Sequence, residues 1–224
     1  MAKIEQRIQN ILEQLEQTNE DLLALSDDIW LSIDHNDNHA LEQGIQFKTE
    51  YNEKLAEFNK LSEQIEELVR DFTGLSQQKE ESAEVSSAEN ERIIKALDKK
   101  KKHSLDQDFK YKRPYGFTIE GKAYQNVNSW RKMYLLTLDY IDERYDTFDT
   151  VVSASEFISN RGNKDFSYDP TELRRPLEVN DSIYAEGNLS ANQIRDRIVK
   201  LLDYFGISND EYVIYLREDR DWKR

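Results

Sequence analysis

Eight residues near the N-terminus, Ile4, Ile8, Ile11, Leu15, Thr18, Leu22, Leu25 and Ile29, follow one another in alternating steps of four and three. A 3.5-residue repeat keeps one seam turned toward a partner helix, so the segment reads as one strand of a coiled coil. Thr18 is the polar member of the seam, a place where polarity fixes register. Asp34-His35-Asn36-Asp37-Asn38 is a cluster of turn formers, and the first helix is predicted to end near Asp34. A second helix is predicted from His39 to Phe72. Its seam is Tyr51, Leu55, Phe58, Ser62, Ile65, Val69 and Phe72, flanked by Leu41, Ile45, Leu61 and Leu68. Two helices of roughly 30 residues, each about 45 Å long, make an antiparallel hairpin.

Such a hairpin has little depth. The flanking apolar residues widen the stripe beyond what a two-stranded seam covers. A second hairpin is the simplest cover, giving a four-helix bundle and a homo-oligomer, a dimer at its simplest. The predicted oligomer interface is Ile4, Ile8, Ile11, Leu15, Leu22, Leu25, Ile29, Leu55, Phe58 and Ile65. The competing arrangement packs the hairpin on the rest of its own chain.

Composition supports long helices: the 224 residues include only 7 Gly and 3 Pro, so few turns punctuate the chain. The absence of Cys removes disulfides, thiolate metal sites and a cysteine nucleophile. No run approaches the ~20 apolar residues of a membrane span, and the opening MAKIEQRIQN lacks the apolar core of a signal peptide. A cytoplasmic location with no membrane partner is expected.

Charge divides the chain. Residues 1–100 hold 11 Lys+Arg against 23 Asp+Glu, or −12, whereas residues 101–224 hold 20 against 22, or −2; the two sum to the −14 of the whole. Eleven of the 12 Tyr also lie after residue 100, so the second half has the large side chains that build a compact core.

Between the halves, residues 76–90 are Ser/Glu-rich and without periodicity, which reads as a linker. A shorter helix at Ala88–Lys102 ends in four lysines, and the segment to Lys112 is irregular. Beyond it, Tyr115–Glu120 and Ala123–Val127 around Gly121-Lys122 read as a β-hairpin. Asn128 or Ser129 caps a helix carrying Trp130, Met133, Tyr134, Leu138 and Ile141. A further short helix spans Phe148 to Phe157, stopped at Gly162. Strands are predicted at Phe166–Tyr168, Ile183–Ala185 and Tyr212–Leu216, with Asn188-Leu189-Ser190 leading into a helix that carries Ile194, Ile198, Leu201, Leu202 and Phe205 and is closed by Gly206. The fold class is therefore α+β. An N-terminal antiparallel coiled-coil hairpin (1–75) is followed by a linker with a short helix and basic tail (76–107), then a small α+β C-terminal domain (108–224).

Three places in the second half carry a resemblance. They are the Phe-x-x-x-Gly-Lys-x-Tyr hairpin (Phe117–Tyr124) with Ser129-Trp130, the step Phe166-Ser167, and Tyr184-Ala185-Glu186-Gly187-Asn188-Leu189-Ser190-Ala191-Asn192. Together they resemble a C-terminal module of uncharacterised bacterial proteins, several tied to restriction and phage-defence loci. The resemblance covers about half the chain. It implies a bacterial or mobile-element setting and no particular chemistry.

Two regions are candidate binding sites. The loop Tyr184–Asn192 brings the N–H groups of a new helix to the surface beside Asn188, Ser190 and Asn192. Arg161, Lys164, Arg174 and Arg175 precede it and offer the donors a phosphate favours. A plain helix cap, with the arginines paired to Glu172, Glu178 or Asp181, explains the same residues. The second region is basic: Lys99, Lys100, Lys101, Lys102, Lys110, Lys112 and Arg113, with Tyr111 and Tyr115 as stacking faces for nucleic acid. Glu120-Gly121-Lys122 with Asp106 or Asp108 has nuclease-like spacing but sits at a turn. His35 and His39 bracket a turn, not one helical face. No Gly-rich phosphate loop, nucleophile elbow or dinucleotide fingerprint is present in the sequence, so neither cofactor nor metal is expected. The expected function is that of a non-enzymatic interaction protein. Its coiled coil self-associates or docks a protein partner, and its C-terminal module binds a ligand, nucleic acid or another phosphate-bearing molecule. The alternative is an acidic inhibitor, the hairpin mimicking nucleic acid toward a DNA- or RNA-processing protein.

Overall fold

The computed structural model describes residues 2–74 and 86–218. It is α+β and divides into two compact units, residues 1–87 and 88–224. The N-terminal unit is a helical hairpin of α1 (Ala2–Leu31) and α2 (Asn38–Thr73). Three contacts fix its antiparallel register. Tyr51 Oη donates to the Leu22 carbonyl (2.9 Å), Lys48 Nζ pairs with Asp27 (3.1 Å), and Gly44 lies against Ile33. The first helix stops at Leu31, slightly earlier than predicted, because Asp34 Oδ1 takes the Asn36 N–H and Asp37 Oδ1 takes that of His39. Asp37 thereby becomes the N-cap of α2, and Gly74 closes it at φ +66°.

The rotation of α1 differs from the predicted seam, whereas α2 largely keeps it. In α1 the fully buried positions are Asn19, Glu20, Ala24 and Ser26, while Ile4, Ile11 and Leu25 of the predicted seam are exposed. In α2, Leu55 of the predicted seam is buried and Tyr51, Phe58, Ser62 and Val69 half-buried, while Ile65 and Phe72 are exposed; Gly44 and Asn59 are also buried and Lys48 and Glu66 half-buried. The cause is local. Gly44 has no side chain to hold Ile33 away, and a Cβ there would come within 2.3 Å of Ile33 Cδ1. With the Lys48–Asp27 pair and the Tyr51 hydrogen bond, this turns smaller and polar positions inward. The apolar stripe is left on the flank.

In the C-terminal unit, α3 (Ser87–Leu97) is followed by an irregular segment, then the hairpin β1 (Pro114–Ile119) and β2 (Lys122–Gln125). Its turn residues Glu120 and Gly121 both have positive φ, as a two-residue type I′ connection requires. Next come α4 (Trp130–Arg144), 3-10 turns at Phe148–Val152 and Ser155–Phe157 where one short helix was predicted, and β3 (Phe166–Ser167). The chain ends with β4 (Pro176–Glu178), β5 (Tyr184–Glu186), α5 (Ala191–Phe205) and β6 (Tyr212–Leu216). One antiparallel sheet has the order β2-β1-β6, the other β3-β5-β4.

The last strand thus pairs with the first, Phe117 opposite Ile214 and Ile119 opposite Tyr212. Phe117 stacks between Tyr124 and Tyr212 at 4.6 and 5.2 Å, and Trp130, Met133 and Leu138 of α4 and Ile194, Ile198 and Leu201 of α5 join it in one core. At the buried centre Thr137 Oγ1 meets Tyr212 Oη at 2.8 Å, satisfying the polar tip of that ring. Ser129 caps α4 and Gly206 closes α5, both as predicted.

Candidate functional site

The basic run Lys99–Arg113, predicted as linker up to residue 107 and as the start of the C-terminal domain beyond it, belongs to the C-terminal unit. Leu97 of α3 is fully buried, and Gly116 of β1 lets it approach: a Cβ there would sit 2.9 Å from Leu97 Cδ2. Asn90 fastens α3 to the β1–β2 hairpin, donating to the Gly121 carbonyl and accepting from the Ala123 N–H, each at 2.8 Å. His103 exchanges two backbone hydrogen bonds of 2.9 Å with Ile214 at the edge of β6. Leu105 and Phe109 are buried, Phe109 with its ring 4.9 Å from that of Trp130. Further bonds tie the segment to α4 and α5: Phe109 N–H to Asn192 Oδ1 (2.8 Å), Arg195 to the Gln107 carbonyl (2.7 Å), and Trp130 Nε1–H to the Lys112 carbonyl (2.8 Å).

The segment is therefore a fixed part of the module, and Lys100, Lys102 and Lys112 among its cations have identified partners. Lys100 Nζ lies 4.5 Å above the Tyr115 ring, so the lysine run meets the second basic run at the start of β1. Lys112 Nζ is 5.8 Å from the Phe109 ring centre. Arg217, which the sequence reading did not include, joins them: its N–H donates to the Arg113 carbonyl and its guanidinium reaches Asn128. Only the β1–β6 pairing brings Arg217 there, and no local pattern signals it. Tyr111 is exposed at φ +59°. The acids within the run are partly engaged. Asp98 holds Lys102 at 3.0 Å and raises its pKa, chiefly through that hydrogen bond. Asp108 accepts from the Lys110 N–H and from Asn192, which lower its pKa in that order.

The loop Tyr184–Asn192 is arranged differently. Glu186 is buried, and its carboxylate accepts from the Arg174 N–H (3.0 Å), Arg174 Nε (3.2 Å) and the Asn188 N–H (2.7 Å). The chain's own carboxylate thus takes N–H donors of the loop that an anion was expected to find. Ser190 is buried in a capping box with Gln193, and Asn192 serves Phe109 and Asp108. Lys164 pairs with Glu172 at 2.6 Å, Arg175 is buried, Tyr184 lies within β5 and Arg161 is exposed. Ser190 thus matches the cap explanation, whereas Arg174 binds Glu186 rather than Glu172, Glu178 or Asp181.

Glu120 accepts from Tyr140 Oη (3.0 Å) and pairs with Arg144 (3.2 Å), while Lys122 pairs with Glu143 (3.2 Å). Burial, then the Glu120 hydrogen bond, pushes the Tyr140 pKa up to about 12. Asp106 takes the Ser104 hydroxyl, and the turn at Asp34–Asp37 is spent on caps. Among the described residues no group of His, Asp and Glu is placed to hold a metal ion, and no helix is long and apolar enough to cross a membrane. Comparison of the chain with family models, with curated proteins and with solved structures finds no match in any of the three.

Proposed function

We propose that this is a non-enzymatic interaction protein whose C-terminal module binds the phosphate backbone of a nucleic acid, and whose acidic hairpin joins copies of the chain. The observation that carries the reading is the anchoring of a basic segment beside aromatic faces, with Lys100 over Tyr115 and Arg113 joined to Arg217 through the backbone, where Glu218 accepts from the Arg113 N–H. Cations held in place before binding lose less entropy on docking than cations on a floppy tail. Exposed Tyr111 adds a face on which an unstacked base can lie. Self-association would multiply such surfaces and raise avidity without a new contact. A setting among bacterial defence or mobile-element proteins rests on the resemblance of the C-terminal motifs alone.

Fluorescence anisotropy with a labelled single-stranded oligonucleotide tests the binding surface. The affinity of the full chain should fall as salt rises, with a slope of about −0.7 per phosphate contacted. Lys100→Glu/Arg113→Glu should weaken binding about tenfold or more and flatten that slope. Arg174→Glu, beside the loop whose polar groups serve the fold, should leave it nearly unchanged. Equal loss in both variants, or no binding at low salt, removes the proposed surface.

A further inference from the structure

The open end of the hairpin carries two apolar stripes that the hairpin itself does not cover. On α2 they are Leu61, Ile65, Leu68 and Phe72, exposed by 56%, 39%, 70% and 91%. On α1, Ile4 and Ile11 are exposed by 63% and 51%, with Ile8 and Leu15 half-buried between and beyond them. Four of the six exposed members precede half-buried ones by one position: Ile11 before Leu12, Leu61 before Ser62, Ile65 before Glu66 and Leu68 before Val69. One residue is a turn of about 100° on an α-helix. Because the helices run antiparallel, the same backward step swings both stripes to one side of the hairpin. The result is a two-helix face.

The spacing of that face is palindromic. Both stripes run in steps of four, three and four, so each is unchanged when read backward. The α1 stripe is centred between Gln9 and Asn10, and the α2 stripe between Glu66 and Glu67. Those centres lie at the same level, since contacting positions such as Asp27 with Lys48 and Ile33 with Gly44 have nearly the same summed number. A two-fold axis running across the hairpin at that level therefore brings both stripes onto their own copies at once.

We infer that the occupant of this face is a second copy of the chain, stacked so that α1 lies antiparallel on α1 and α2 antiparallel on α2, with the axis at Glu66/Glu67. The inference rests on the self-association proposed above and fixes which face is used. Leu61 then meets Phe72 of the second copy, and Ile65 meets its Leu68. The residues one position before Ile8, Leu15, Ile65 and Phe72 border the contact: Arg7, Gln14, Gln64 and Asp71. The same axis sets Arg7 opposite Gln14 of the second copy and Asp71 opposite its Gln64, so each border charge meets an amide. A chain of net charge −14 can thus pair with itself without bringing like charges together along this border. Eight such side chains per copy are on the order of the 800 Å² that each partner contributes to a stable interface.

Sedimentation equilibrium of the full chain is the test. The wild type should sediment at twice 26.5 kDa. Ile65→Glu/Leu68→Glu, both at exposed positions, should give a monomer with unchanged helical circular dichroism. Because Gln64 is placed opposite Asp71, Gln64→Lys should tighten the dimer about fivefold and Gln64→Glu loosen it by a similar factor. A monomeric wild type overturns the self-association and this inference together. A dimer that ignores both the double substitution and the sign of charge at position 64 overturns the proposed face alone.

Discussion

Removal of the Glu186 carboxylate is the sharpest way to ask whether the loop before α5 supplies its own anion. The side chain is 7% exposed and takes three hydrogen bonds, two from backbone N–H groups and one from the Arg174 guanidinium. Glu186→Ala strands the N–H groups of Arg174 and Asn188. A buried donor left without a partner costs about 1–3 kcal/mol. Arg174 is 66% exposed and turns to water, so its share is small. The expected loss is about 3 kcal/mol in urea-melt stability. The vacated place keeps two N–H donors and a nearby guanidinium, which suits a tetrahedral anion. Excess sulfate at tenfold its dissociation constant should return about 1.4 kcal/mol to the variant. Sulfate also stabilises proteins generally, so the wild type at matched ionic strength is the reference. A loss below 1 kcal/mol, or an equal sulfate effect on both proteins, refutes the reasoning.

Asn192→Ala removes the acceptor for the Phe109 N–H and the donor to Asp108. It should lower stability by about 1–2 kcal/mol and weaken oligonucleotide binding although Asn192 is not among the proposed contacts, as melts and anisotropy on one preparation would show. Asp108 has a lowered folded-state pKa, so its contribution is present above the ordinary carboxylate value and is lost as pH falls through the lowered one. The stability gap between wild type and Asp108→Asn should therefore be wider at neutral pH than in strong acid. Gly44→Ala gains about 1 kcal/mol of helix propensity but meets Ile33 Cδ1. Paired with Ile33→Val it should gain more than the two single effects add to, and strict additivity in the double-mutant cycle would contradict the contact.

Much of the architecture is written locally. The 3.5-residue repeats mark both long helices, Ser129 and Gly206 mark helix ends, and the alternation on either side of Gly121 marks the β-hairpin. What escapes local reading depends on contacts distant in sequence. The rotation of the hairpin is set by Gly44 against Ile33 and by Lys48 with Asp27, a glycine and an ion pair that a hydrophobic pattern does not weigh. The segment from α3 to Arg113 resembles a linker because Leu97, His103, Leu105 and Phe109 follow neither a strand nor a helix period. They dock separately, on Gly116, on Ile214, and beside Trp130. The loop at Tyr184–Asn192 offered donors in sequence, but nothing there reveals that Glu186 turns inward to use them.

Hydrogen exchange of the full chain, with and without a single-stranded oligonucleotide, tests the central claim that the basic segment is a prebuilt binding surface. In the free protein the amides of His103, Phe109 and Lys112, each bonded in the structure, should exchange well below coil rates. Adding the oligonucleotide should slow residues 99–113 further and leave 184–192 as they were. Coil-like exchange at those three amides, or slowing confined to 184–192, would contradict the account.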